Sequence, residues 1–418
     1  MTLKRRLTRV TSKEPGARPS PRAVRDLAEA DHQDVISLIQ ELVRVPTRGG
    51  VDNCEPLISL VEAWLNDRGL GTRRLPDLAG AGALGIVSDV VGGQPGPHYV
   101  LDACLDTAPF GNERDWLYGP TSAAIDAGWL YGRGAADSKA AIAIFMHIAA
   151  HVQRYAEALC GTLTLLFDAD EHTGRFGGAK RYFVDIAPTD ISGVMIGYPG
   201  IDKLVVGGRG FLRAVLTVRG KSGHTGSQRS VGDGNAVEGA AELVRALSAY
   251  HVPGPVDAVL ELPPKLTVTG IRGGESFSII PDQCSVDVDV RLTNSFDSEA
   301  AQQLIEGVVN RVDLQRPSVG RTTVTFHENW PAYVTQDEAP IRLALTRAAE
   351  QQLASPLTVQ AAGPSNIGNY LAKLGIPATA GLGVRYEALH GTNERIDIAT
   401  IPAVQSTYHQ AVIALFNP

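Results

Sequence analysis

The sequence predicts an α/β fold in two separated parts, interrupted by a smaller α+β sandwich. Three observations carry this. Helical stretches alternate with short apolar runs from about residue 34 to 206, the texture changes from about 207 to 327, and the first texture returns after Pro331. At 418 residues the chain is also longer than one ordinary core covers, so two domains are expected.

The elements follow in order. A basic cluster runs from Lys4 through Arg25 without the apolar stretch of a signal peptide, and Pro15, Pro19 and Pro21 argue against a helix, so residues 1–30 read as a solvated, disordered tail. Helical patterning covers 35–70, and the apolar runs 99–105 and 162–167 suit strands of a largely buried sheet. Between 207 and 327 the pattern gives strand 211–218, helix 235–249, strands 265–271 and 278–292, helix 298–311 and strand 322–326. Two helices on a four-stranded sheet make the sandwich. The run Gly207-Gly208-Arg209-Gly210 has no helix after it, so it reads as a hinge and not as a phosphate cradle. Helices at 339–353 and 401–416 complete the first domain, whose two parts are 31–206 and 328–418.

Composition excludes several function classes. With 44% hydrophobic and 20% charged residues, a net charge of −7 and no basic stripe in the body of the chain, nucleic acid is not an expected partner. No apolar run is long enough to span a bilayer, so no membrane role is expected. Cys54, Cys104, Cys160 and Cys284 form no Cys-x-x-Cys pair and no disulfide framework, which fits a reducing cytoplasm. Three of them read as small core residues; Cys104 lies inside a motif.

Five motifs carry chemistry: Leu101 to Thr107 (LDACLDT), Gly132 to Lys139 (GRGAADSK), Asp170 to Gly174 (DEHTG), Gly223 to Gly226 (GHTG) and Leu389 to Glu394 (LHGTNE). Asp137 follows a glycine-rich turn and precedes an apolar helix, where a carboxylate can reach a metal ion in the crevice at a sheet end; alone, it would read as a helix cap. Glu171 and His172 end a strand, so that one can bind metal while the other faces water; the bland alternative for His172 is a solvated loop residue. A lone loop histidine such as His390 is usually unremarkable, and here its weight comes from its neighbours and its place in the order. His147 and His151 have the i, i+4 spacing of helical ligands, but no acid lies between them, so they read as packing residues.

In order and spacing, these motifs resemble the metallopeptidase family that contains glutamate carboxypeptidases, aminoacylases and succinyl-diaminopimelate desuccinylases, over roughly residues 35 to 418. The resemblance implies a two-part zinc-peptidase-like catalytic domain with an inserted lid and dimerisation domain. It also implies Glu171 as general base and Asp137, His172 and His390 as ligands of a divalent transition metal (zinc, manganese or cobalt), with Cys104 as a further candidate. Asp106 would orient a ligand, His224 would come from a neighbouring subunit of a homodimer or larger assembly to steady the intermediate, and Arg291 would hold the carboxylate of a small anionic substrate. Ser278, Tyr198 and Asn366 would complete the substrate pocket.

The chain departs from the family at three of these places. Cys104-x-Asp106 replaces His-x-Asp, Tyr198 replaces an acid before proline, and Ser278 replaces an asparagine. The expectation is therefore a metal-dependent hydrolase of a carbon–nitrogen bond, with one metal ion per site. The remodelled pocket suits deamination of a small aromatic amino acid such as 5-nitroanthranilate, because an electron-poor ring can hold the developing charge itself. Amide hydrolysis, as by an aminoacylase, dipeptidase or carboxypeptidase, is the alternative reaction. A non-catalytic binding relative is the alternative class; the retained Glu171 and histidines speak against it.

Overall fold

The computed structural model describes residue 16 and residues 18–417, apart from 79, 81, 186–189, 227–233, 251, 253–255, 257–258, 318–319, 328 and 354–355. The chain forms two compact units. One comprises Met1–Leu204, Gln336–Thr358 and Ala378–Pro418; the other comprises Val205–Thr335 and Val359–Pro377.

The first unit is built on a mixed sheet with the strands Thr72–Pro76, Ala83–Val91, Cys160–Asp168, Gln94–Cys104, Ile191–Ile196 and Ala378–Gly381 side by side. The first three pair antiparallel and the rest parallel. Leu101, Leu165 and Val194 at its centre are wholly buried, as expected of parallel strands covered on both faces. The helices Pro21–Arg44, Ala140–Val152 and Ile401–Leu415 pack on one another beside it.

Two expectations need correction here. Residues 21–30 belong to an ordered helix, because Pro21 occupies the first turn, where its missing N–H is not needed, and the Ser20 hydroxyl accepts from Ala23 N at 3.3 Å. Val24 and Ala28 are buried by it. The rest of the expected tail, 1–15 and 17, lies outside the described residues. The stretch 35–70 is two helices, Pro21–Arg44 and Glu55–Asn66, parted by a turn at Gly49 and Gly50.

A small second sheet positions the site. Trp129–Tyr131, which leads into the Gly132–Gly134 turn, pairs with Arg395–Asp397, with Arg395 opposite Tyr131. Arg395–Asp397 in turn forms a hairpin with Tyr386–Glu387, and His390 lies in the connection. Two segments far apart in sequence therefore enter one place from adjacent strands.

The second unit is the expected sandwich: the antiparallel strands Lys265–Gly273, Gln283–Leu292, Gly210–Arg219 and Thr323–Phe326, in that order, carry the helices Ala236–Ser248 and Ser298–Leu314. Period-two alternation along Gln283–Leu292 buries Val286, Val288 and Val290 against Leu243 and Ile305, while Asp287, Asp289 and Arg291 are only half-buried. Residues 359–377, expected in the catalytic domain, belong to this unit. The wholly buried Asn369 explains why, since its amide donates to the carbonyls of Gly208 (3.4 Å), Arg209 (3.2 Å) and Pro331 (2.7 Å).

Candidate metal centre

Asp137 lies between the glycine turn and the helix Ala140–Val152. The turn requires glycine at 134, where φ is +82° and a Cβ would stand 2.5 Å from Thr107 Cγ2. Asp137 Oδ1 accepts the Ser138 hydroxyl at 2.7 Å, and its Oδ2 lies 3.0 Å from His390 Nε2 and 3.6 Å from His172 Nε2. His390 has φ +57°, the left-handed region that a non-glycine residue holds only when its surroundings impose it.

The surroundings are identifiable. Arg133 Nη1 donates to Glu394 Oε2 at 2.7 Å in a buried pair, and its Nη2 donates to the carbonyls of His390 (3.1 Å) and Gly391 (3.0 Å). Glu394 Oε1 accepts Ala136 N at 2.9 Å. This clamp ties the Asp137 loop to the His390 loop. No local pattern links two charges 261 positions apart, so the sequence alone assigns Glu394 no role.

His172 is held by its backbone. Asp106 accepts Glu171 N at 3.0 Å and His172 N at 2.9 Å. Asp106 therefore fixes the backbone of the loop that carries Glu171 and His172. Gly49 backs this loop closely, since a Cβ there would meet Asp106 Oδ2 at 2.8 Å and His172 Cβ at 3.2 Å.

Both ring nitrogens of His172 are buried without a hydrogen-bond partner. The ligand atoms of Asp137, His172 and His390 all lie within 4.8 Å of one another, as do those of Cys104, Glu171 and His172. An orphaned imidazole beside a carboxylate and a second imidazole is the donor set a divalent transition metal takes, so these residues fit one.

The charges are strongly perturbed. Burial pushes the Asp137 carboxyl up, but the neighbouring His172 and His390 rings outweigh it and hold it well below the usual range. Burial pushes His172 down, and the charges of Asp137, Glu171 and Asp106 more than reverse this, raising it to about 9. Glu171 is raised to about 7, by burial first and then by the Asp137 and Asp106 charges, against the lowering effect of His172 and Tyr198.

The replaced positions carry a thiol and a phenol. Burial and the Asp137, Glu171 and Asp106 charges push the Cys104 thiol up, and its Sγ stands 3.6 Å from Asp137 Oδ1 and 3.5 Å from Ser138 Oγ. Burial and the Glu171 charge likewise push the Tyr198 phenol up, and its hydroxyl donates to Glu171 Oε1.

The other expected site residues belong to the second unit, in two groups. His224 sits on a short ribbon opposite Ile279, its Nδ1 accepting Gly226 N at 3.0 Å, and the Ser278 carbonyl accepts Thr225 N at 3.0 Å. Arg291 Nε donates to Asp289 Oδ1 at 2.8 Å and its Nη1 to Ser365 Oγ at 3.3 Å. Asn366 caps the helix Ile367–Lys373. Its buried amide oxygen already accepts Gly368 N at 2.8 Å and the Tyr333 hydroxyl at 3.1 Å.

Comparison with known proteins places this geometry. Residues 100–414 match the model of peptidase family M20/M25/M40. A succinyl-diaminopimelate desuccinylase from Parvibaculum lavamentivorans is 28% identical over 302 residues, covering 68% of this chain and 72% of that protein. Among solved structures, an M20 family metallo-carboxypeptidase from Sulfolobus solfataricus superposes with a TM-score of 0.73 at 17% identity, covering 92% of this chain and 100% of the other. A dinuclear metal-binding M20 peptidase from Bacillus subtilis gives 0.68 at 16% identity, over 93% and 99% of the two chains.

Proposed function

We infer the reaction from one premise: the chain belongs to peptidase family M20/M25/M40 and is a metal-dependent hydrolase of carbon–nitrogen bonds. The reading we propose within that class is deamination of a small, electron-poor aromatic amino acid such as 5-nitroanthranilate, at a site with one divalent ion. The observation that carries it is the state of Cys104 and Tyr198. Tyr198 spends its hydroxyl on Glu171, and the Cys104 thiol, pushed up by burial, would have to lose its proton to bind, so that side of the site offers a second cation a poorer ligand set than a histidine and an acid would. An amide intermediate gains from a grip on both oxygens, whereas a ring bearing a nitro group delocalises the added charge itself.

Asp137, His172 and His390 would hold the ion, which lowers the pKa of water and polarises the electrophile. Glu171, raised to about 7, takes a proton from the attacking water. A carbon–oxygen bond forms at the ring carbon, the carbon–nitrogen bond breaks, and Glu171 returns the proton to the leaving nitrogen, so arylamine and water give phenol and ammonia. In this reading Arg291 holds the ring's carboxylate, and His224, supplied by a second copy of the chain, steadies the anion.

The test measures ammonia release from 5-nitroanthranilate beside hydrolysis of N-acyl amino acids, with metal content per chain. Phenol and ammonia at one ion per chain support the reading. Turnover of acyl amino acids alone, or full activity with two ions bound, replaces it with amide hydrolysis, the reading favoured by the desuccinylase likeness.

A further inference from the structure

Glu171 is a long side chain that must present one oxygen accurately. Asp106 fixes its backbone N–H, but the torsions between backbone and carboxylate stay free unless something holds the tip. A general base works only with its accepting oxygen within about 3 Å of the water it deprotonates, so a loose carboxylate is a poor one. The two oxygens of Glu171 meet different partners. Oε1 accepts the Tyr198 hydroxyl, and Oε2 stands 3.3 Å from His172 Nδ1, on the side of the ligand histidine.

Tyr198 can act as a strut because its own segment is fastened on both sides. The turn follows the strand Ile191–Ile196, and in it Gly197 N donates to Asp102 O at 2.8 Å and Gly200 N to Val384 O at 3.0 Å, while Gly383 N returns a bond to Gly200 O at 3.0 Å. Close packing adds to this. A side chain at Gly197 would run into Ala141 and Phe145 of the helix Ala140–Val152, and one at Gly383 into the Tyr198 carbonyl. A phenol on such a base reaches its partner with few torsions of its own to freeze. The bland role for Tyr198 is a phenol that has merely found an acceptor; that role affects stability and leaves the chemistry alone.

We propose that Tyr198 is a positioning residue for the hydrolysis: by holding Oε1 of Glu171 it turns Oε2 to the ligand side as the oxygen that takes the proton from water. This rests on the reading above of Glu171 as the general base. Tyr198 works through Glu171 and not on the reacting atoms, so its effect falls on kcat and not on KM.

The test pairs turnover with a spectrum, on the metal-loaded full-length protein. With whichever of 5-nitroanthranilate and an N-acyl amino acid wild type turns over, Tyr198→Phe lowers kcat roughly ten- to a hundredfold, the scale of one hydrogen bond to a charged group, with KM within about twofold and metal content unchanged. Added to Glu171→Gln, it costs no more than about twofold further, because a residue that acts through the base has nothing left to act on. The ultraviolet resonance Raman difference between wild type and Tyr198→Phe isolates one phenol among eleven tyrosines, and it carries the signature of a strong donor that disappears in a Glu171→Ala background. Unchanged kcat in Tyr198→Phe, a full further loss in the double variant, loss of the ion along with the phenol, or a phenol spectrum indifferent to Glu171→Ala each overturns the proposal. Retained turnover in Glu171→Gln removes the base and the positioning role together, whereas an inactive Glu171→Gln beside an unaffected Tyr198→Phe rejects the positioning role alone. The spectrum is read without substrate, so it decides by itself if wild type turns over neither compound.

Discussion

Two places in the first unit hold the same three residue types, one aspartate and two histidines, and they differ in how the donors and acceptors are spent. At Asp31, Oδ2 takes His151 Nε2 at 2.6 Å and Gln405 Nε2 at 2.7 Å, with His147 Nδ1 at 3.5 Å. His147 packs on Trp64 with ring centroids 4.9 Å apart. At Asp137, neither nitrogen of His172 makes a hydrogen bond, Nδ1 stands 3.3 Å from Glu171 Oε2, and three ligand atoms converge within 4.8 Å. Among the histidine nitrogens of the Asp31 group, His147 Nε2 alone is buried without a partner. The Asp31 group does not converge in this way among the described residues. The first group ties helices Pro21–Arg44, Ala140–Val152 and Ile401–Leu415 together; the second brings three donor atoms to one point, as an ion would require. Residue composition does not separate the two groups, and the convergence of their ligand atoms does.

The sharpest way to test that contrast is to change one residue at a time and read turnover, metal and stability separately. Glu171→Gln should lower turnover on the order of 10²-fold or more while metal content by elemental analysis stays that of wild type. Retained turnover in the metal-loaded variant would remove Glu171 from the role of base. His172→Ala and His390→Ala should lose bound metal, whereas His151→Ala should keep it; metal retained by both of the former would dissolve the distinction between the two groups.

Asp31→Asn should do the reverse and destabilise the fold by about 2 kcal/mol at pH 7 with metal content unchanged. Burial pushes the Asp31 carboxyl up, but its bonds and charges with His147 and His151 outweigh this and hold it well below its ordinary value. A folded pKa below the unfolded one means that the stabilisation is fully present above about pH 4 and is lost on acidification through the folded value. Denaturant melts of wild type and variant should accordingly converge in acid; a constant gap would place the effect in packing. The smallest effect is a proton count. With His172 raised to about 9, the metal-free protein holds that proton at pH 7, so metal binding should release about one proton. Calorimetry in buffers of different ionisation enthalpy reads it, and no release at pH 7 would contradict His172 as the ligand.

The fold class was legible because strand and helix periodicities write themselves locally: the expected helix 298–311 appears as Ser298–Leu314 and the expected strand 265–271 as Lys265–Gly273. Motif order carried Asp137, His172 and His390 to one place, although His390 lies in a hairpin connection that no local periodicity marks. Partners supplied from a distance were not legible. Nothing near His147 announces Asp31, nothing near Gly208 announces Asn369, and the amide oxygen of Asn366 shows its capping role only once the helix Ile367–Lys373 is in view. Ser20 and Pro21 did signal a helix start, but the prolines around them were weighed as breakers when one of them was a first-turn residue.

The clamp between Arg133 and Glu394 also bears on when the site comes into being. Asp137 and His390 are separated by 253 positions, and the residues that fasten their loops are similarly remote. During synthesis, Asp137 emerges long before the segment that presents its imidazole neighbour, and closing so long a loop awaits the packing of everything between. A nascent chain therefore carries Asp137 without His390, and the place where the two meet forms late in its maturation.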